Sequence, residues 1–509
     1  MIAMRLSKRH ANQQTVSYRD FSGGLNTTDA TESIGQNELA QAVNVCLDKS
    51  TGLLKTIAGT DPVIVDDTKT FDVLMVDPWD KTILVTDTTG HVFKVFNGEL
   101  ALLGTLTGTN HATYATWEDG LIIASGGNLQ YYHGGELETL SESPATCNGV
   151  FIRDGRIWTW AKDRITLSAI GDEHNWTHDN NDASSAQFVD IGYKDRGNIK
   201  GVVALSSDVV IFKDNGHAYH LMGAYPDWQV RSIGRQLGIK NYECCLSVGN
   251  SVLVLGDGRV QSVEVTQDYG DMKSAYLSRK VEAEVRALSA DTRVRYIPTE
   301  NEVWFLHEGD AEFLTMDVGT NAYFKRRYST IPRDAASLND VTYILKEHTL
   351  SKVNSNHMMT DDGRPLEWEI QTATMVSYND LLLKRVYVDT TPFFDLYSDQ
   401  RFRFGDVEIY GGLPPTARFI YHNFGVLAHN RRYVADPYLG NALTDMSESV
   451  YHNDRHIYEN KQFARSLKCY RSETRCVDHR RSIPINARGS GGVTLLNQLA
   501  FDVVEVYGR

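Results

Sequence analysis

The 509-residue sequence contains no run of about 20 apolar residues, the length a helix needs to cross a bilayer. Proline is scarce, at 12 residues, and cysteine scarcer, at six. Cys46, Cys147, Cys244, Cys245, Cys469 and Cys476 form no CxxC pair, and the adjacent Cys244 and Cys245 are badly placed to bond one another. They read as reduced thiols packed as small hydrophobes. Basic charge is in deficit, with 51 Lys+Arg against 65 Asp+Glu and a net charge of −14. The surface as a whole is therefore not a nucleic-acid footprint. Met1 to Gln14 is basic and polar and lacks the apolar stretch of a secretory signal, which sets the expectation of synthesis in a cytoplasm.

Catalytic motifs are missing too. There is no GxSxG, no HExxH, no GxxxxGK[ST] and no GxGxxG opening a helix. His174/His178 and His452/His456 have the i, i+4 spacing that can hold a metal, but neither pair has an obvious third ligand and both sit in polar, loop-like sequence. Exposed or interface histidines are the expectation. His217/His220 falls on an expected strand, where an i, i+3 pair points to opposite faces. The turns around Asp87 and Asp214 lack the Ser/Thr-x-Asp-x-Gly order of sialidase propellers, and turn aspartates such as Asp257 read as turn chemistry. The sequence thus predicts no catalytic residues, no cofactor, no metal site and no enzyme.

What is abundant is glycine, at 40 residues, and tyrosine, at 25. Together with few prolines, this favours many short strands joined by tight turns. Seven times an apolar or alternating run meets a turn and a second such run follows. The first runs begin at Ile83, Leu121, Ile157, Val209, Val252, Val303 and Val341, and successive turns fall 36 to 52 residues apart. Asp-Gly, Asn-Gly and Gly-Gly in these turns supply the positive φ that tight hairpins need. Repetition at the length of one four-stranded blade plus a loop points to an all-β chain with a β-propeller of six or seven blades. Radial stacking lets each sheet bury its neighbours. Trp79, Trp117, Trp158, Trp160, Trp176, Trp228 and Trp304 recur about once per repeat and are expected in the packing between blades.

The expected organisation has three parts. Residues 1–60 form an N-terminal arm with a short helix at Gln36–Val43, read from helical spacing of apolar residues. Residues 61–360 form the propeller, and a strand from the N-terminal region is expected to pair into the last blade and close the ring. Residues 361–509 form a C-terminal β-domain, sandwich-like, with a basic, Tyr-rich insertion near 415–480. Between Arg418 and Arg481 there are 11 Lys+Arg against 7 Asp+Glu, which leaves −18 on the remainder. That tract is read as a face for a neighbouring subunit or another protein.

The run Phe21-x-Gly23-Gly24-Leu25-Asn26, then Asn37-Glu38-Leu39, Ala42-x-Asn44-Val45, Gly52-Leu53-Leu54-Lys55 and Gly59, resembles the opening of packaged-DNA stabilisation, or tail nozzle, proteins of short-tailed bacteriophages. Leu366 to Thr372 and the closing Gly489–Gly492 turn with Phe501 to Val506 are similar as well. The resemblance implies a structural virion protein: a homo-hexameric ring in the tail, made in the host bacterial cytoplasm and placed beneath the portal and its head-to-tail adaptor. Such a ring would extend the channel for double-stranded DNA without sequence-specific binding, retain the packaged genome, support its ejection, and carry tail fibres or a tail plug. The rival reading is a propeller-type glycan-binding or glycan-degrading tail protein.

Overall fold

The computed structural model describes residues 13–392 apart from 193, 206–207, 235, 266–271 and 356–358, and beyond them 399–404, 407–412, 421–422, 470–483, 486–490 and 494–506. The chain divides into two compact units. One comprises Asp61–Asn321 and Tyr328–Val353; the other comprises Met1–Thr60, Ala322–Arg327 and Asn354–Arg509.

The first unit is a seven-bladed propeller. Its sheets follow one another along the chain at residues 71–105, 113–139, 150–190, 199–234, 245–276, 293–317 and 332–353, each antiparallel between consecutive strands. Every hairpin expected from the sequence is the central pair of one blade. The first is Thr82–Asp87 with His91–Phe96, and the last is Val341–Lys346 with Thr349–Val353. Each blade's first strand lies at the inner end of its sheet, and these strands meet their neighbours around the axis. Pro332–Leu338, for example, lies against Phe71–Asp77 on one side and Arg293–Ile297 on the other.

The blades bury one another. Val73, Met75 and Leu84 of blade 1 pack with Leu121, Ile123 and Tyr132 of blade 2. Trp117, Ile122 and Tyr131 of blade 2 pack with Val150 and Ile157 of blade 3, and Trp158, Trp160 and Leu167 of blade 3 with Ile199, Ile211 and Leu221 of blade 4. Each such side chain contributes about 1.5–3 kcal/mol on leaving water. The ring is closed by Thr60–Val65, which enters the last sheet beside Thr349–Val353. Its Ile64 joins Leu338, Leu345 and Leu350 of blade 7 against Phe71, Leu74 and Val85 of blade 1. The closing strand expected from the N-terminal region is thus Thr60–Val65.

The second unit draws strands from both ends of the chain, so the segment expected as a separate arm shares sheets with the C-terminal strands. Thr494–Val506 pairs with Met375–Pro392 on one side; Gln13–Tyr18 and Leu54–Thr56 also pair with it. In another sheet Glu38–Val43 lies between Tyr323–Arg327 and Glu367–Thr372, with Asn486–Ser490 beyond. The helix expected at Gln36–Val43 is therefore a strand. A bulge between Leu39 and Gln41 shifts the alternation, so Leu39, Ala42 and Val43 all turn inward. Three-residue spacing of buried side chains then mimics a helical face, and pairing on both sides overrides helix propensity.

The residues that carry the family resemblance have structural duties in this unit. Asn44 sits at φ 56°, buried, and its side chain donates to the carbonyls of Glu367 (2.7 Å) and Arg327 (3.2 Å) while accepting from the Arg327 amide at 2.7 Å. Asn26 donates to Glu38 at 2.9 Å and to Asp29 at 3.0 Å. Gly24 (φ +64°) lies where a Cβ would come within 2.8 Å of Ala322 and the Tyr323 amide.

Among the described residues the only helices are Arg279–Val281 and Glu282–Ala287, and none is long and apolar enough to cross a membrane.

Candidate functional site

The inner ends of five blades meet in a network of charged side chains. Arg293 and Arg295 project from the first strand of blade 6, Asp334 from that of blade 7 and Asp72 from that of blade 1. His111 and the Tyr242-Glu243 pair lie on the connections entering blades 2 and 5. Arg295 Nε donates to Asp334 Oδ1 at 2.7 Å, and its Nη2 donates to Glu243 Oε1. Arg293 Nη2 bonds Asp72 and lies 2.8 Å from His111 Nδ1, and its Nε is 3.6 Å from Glu243 Oε2. His111 Nδ1 is 3.2 Å from Glu243 Oε2, and Tyr242 Oη donates to the His111 carbonyl at 2.7 Å. Asp334 Oδ2 accepts the Leu74 amide at 3.0 Å.

The electrostatics follow from burial and pairing. Burial pushes the Glu243 carboxyl up, but the Arg295 guanidinium, the His111 hydrogen bond and Arg293 together hold it at about 2. His111 is raised, first by its hydrogen bond to Glu243, against the opposing effect of burial. Burial lowers both arginines while Glu243 and Asp334 raise both and Asp72 raises Arg293, and the net direction is up for both. Burial also lifts Tyr114, next to Asp334 and Arg295, up to about 12. Both oxygens of Glu243 and both of Asp334 are committed, so neither carboxylate is placed to act as a general acid or base. The arrangement locks blades 1, 2, 5, 6 and 7 together at their inner strands.

A second feature lies at the boundary of blades 4 and 5. A cleft of about 690 Å³ opens beside the turns that join the second and third strands of those blades, a volume within the roughly 300–1,000 Å³ common for small-molecule sites. Four cations line it: Lys200 from the first strand of blade 4, Lys240 from the connection to blade 5, Arg259 at the start of the third strand of blade 5, and Arg286 from the short helix. Asn215, Gln236 and Gln261 supply neutral polar groups, and Asp214 and Asp257 two carboxylates. No aromatic side chain lines it among the described residues. The turn closes tightly because Gly258 holds φ +74°, where a Cβ would press to 2.7 Å from Arg286 Cγ; at Gly256 a Cβ would meet the Gly238 carbonyl at 2.5 Å.

The histidines singled out by the sequence lie elsewhere. His178 spends both ring nitrogens on protein groups, Nδ1 at 2.8 Å from the Ala186 carbonyl and Nε2 at 2.8 Å from Asn180 Oδ1. His174 lies beside Glu173 and Glu142. His220 is buried with Nε2 3.3 Å from Asp208, while His217 faces Asp195 at 3.7 Å. His452/His456 and most of the basic tract lie outside the described residues. No group of three or more His, Cys, Asp or Glu among the described residues could hold a metal ion. Asp87 caps its own turn, accepting from the Thr89 and His91 amides at 2.9 Å, and Asp214 accepts the Asn198 amide at 3.0 Å.

Trp117, Trp158, Trp160 and Trp304 are buried, and Trp176 and Trp228 pack against the cores of blades 2–3 and 3–4. Trp79 differs: it is 67% exposed on a hairpin tip. Cys46, Cys147, Cys244 and Cys245 are free thiols; burial pushes Cys147 up to about 11 and Cys244 up to about 12. Cys469 lies outside the described residues. Sequence reasoning missed the axial network and the cleft. The one available signal for the network was Arg293-Val294-Arg295, two cations on a strand whose counterparts in other blades are largely apolar.

No family model and no curated protein matches the chain. Among solved structures, it is similar to BamB from Moraxella catarrhalis, at 9% identity over 68% of this chain and 99% of that one, with a TM-score of 0.38. It is similar also to YCF48 from Cyanidioschyzon merolae (9%, 58% and 99%, TM-score 0.40) and to the computationally designed Ika8 protein (12%, 58% and 99%, TM-score 0.35).

Proposed function

We propose that this chain is a structural protein of a short-tailed bacteriophage tail, a ring-forming nozzle subunit with no catalytic role. The observation that carries this reading is the axial network. Paired guanidiniums and carboxylates from blades 1, 5, 6 and 7, joined by His111 ahead of blade 2, tie the inner strands of the propeller to one another. The propeller serves as a rigid block whose useful surfaces are its outer faces. The long strands Met375–Pro392, Tyr470–Ile483 and Thr494–Val506 extend the second unit in a way suited to contacts between copies.

Under this reading a DNA channel runs between copies and not along a propeller axis. An acidic wall, drawn from a net charge of −14 per chain, would repel phosphates and let the genome slide. Copies of the chain, expected as a hexamer, contact the portal adaptor at one end and fibres or a plug at the other. Negative-stain microscopy of the purified protein and of isolated tails tests the proposal. A rotationally symmetric ring at the tail tip, labelled by antibody to this chain, is the expected result. A protein that stays monomeric at high concentration and is absent from tails would refute it.

A further inference from the structure

We infer that the cleft between blades 4 and 5 binds an anionic sugar, a hydroxylated frame carrying carboxylate groups. The proposal is independent of the ring reading and rests on the composition of the cleft. Four cations line one cavity in a chain of net charge −14.

The commitments of these cations differ. Lys240 Nζ donates to the Leu288 carbonyl, Arg286 pairs with Glu282, and Arg259 lies 5.6 Å from the Tyr276 ring. Lys200 is half-buried, and its side chain has no hydrogen-bond or ion-pair partner among the described residues. Its ammonium is therefore available to an anion in the cleft.

The rest of the lining narrows the class. A plain inorganic anion gains nothing from carboxylates, yet the exposed Asp257 shares the cavity with Asp214, whose two oxygens accept from the amide and side chain of Asn198. Carboxylates accept hydrogen bonds only from donors, and sugar hydroxyls are donors. Gln236 and Gln261 add groups that both donate and accept, while the Asn215 amide is held by the Asp195 carbonyl and the His217 amide. The cleft thus offers cations for the acid and mixed partners for the hydroxyls. Neutral glycans commonly use an aromatic platform, and the described lining has none, so charge has to supply the affinity. The guanidinium of Arg259, which opens the strand after the turn at Gly258, suits a two-point grip on a carboxylate.

Isothermal titration of the full-length protein with tetragalacturonate, maltotetraose and inorganic phosphate tests the inference. Tetragalacturonate is expected to bind at least about tenfold more tightly than either other probe, and Lys200→Ala with Arg259→Ala to weaken it by about tenfold or more. Thermal unfolding checks that the double variant is folded; if it is not, Arg259→Ala alone, an exposed position, carries the comparison. No binding of tetragalacturonate at millimolar concentration would overturn the assignment. Equal binding of maltotetraose or phosphate would overturn it too, as would wild-type affinity in the variant.

Discussion

Arg295 grips carboxylates on two different elements, Asp334 of blade 7 and Glu243 ahead of blade 5, so each carboxylate compensates a charge that has left water. Removing one partner leaves the other buried and uncompensated. Glu243→Gln is therefore expected to destabilise the propeller by about 3–5 kcal/mol at pH 7, read from the urea midpoint. The pH dependence has a definite sign. Glu243 is depressed from 4.5 to about 2, so its contribution is complete above 4.5 and is lost as pH falls through about 2. His111 is raised from 6.5, so its contribution is complete below 6.5 and fades as pH rises through its folded value. Urea midpoints measured from pH 2 to 8 should show an acid limb that flattens in Glu243→Gln. An unchanged limb would mean that other carboxylates drive acid unfolding.

This network was hidden from the sequence because its members lie between positions 72 and 334 and meet only through the circular order of the blades. Isolated charges such as Asp72 or His111 look like any surface residue until the ring brings them together. The cleft was hidden for the same reason, its cations coming from two strands, a connection and a helix. The motif residues around Asn44 were visible as a pattern, while their purpose, a left-handed corner serving two strand carbonyls, needed the fold.

At the scale of elements the hairpins were legible because two local signals agree: apolar or alternating runs in all seven, and glycine-bearing turns in five of them. Those signals mark the second and third strands of each blade. The outer strands are weaker, as Glu99–Thr105 shows, with no buried residue in its seven. Gln36–Val43 was misread because the bulge at Leu39–Gln41 gives a strand the spacing of a helix. The closing strand can be tested directly. Ile64 is 5% exposed in the seam between blades 7 and 1, and its neighbour Val65 is 61% exposed. Ile64→Ala should cost about 2–5 kcal/mol of unfolding free energy, and Val65→Ala no more than about 0.5 kcal/mol. Equal effects would show that the strand does not close the ring by burial.

For the whole molecule, the proposed ring has to assemble against its own charge. Copies carrying −14 repel one another at long range, so association needs a local attraction. The sequence offers one, since the tract from Arg418 to Arg481 carries +4 and the remainder −18. A basic tract from one copy meeting an acidic face of the next would supply both the attraction and the register of the ring. Replacing residues 423–469 with a short flexible linker should therefore abolish rings in sedimentation velocity. The melting temperature of the propeller should shift by no more than about 4 °C, because its closing strand and blade cores are untouched. Salt should act in the same direction: raising ionic strength to about 1 M, where the screening length falls to about 3 Å, should dissociate wild-type rings. Rings that survive both treatments would place assembly on apolar contacts of the long C-terminal strands and remove the basic tract from the interface.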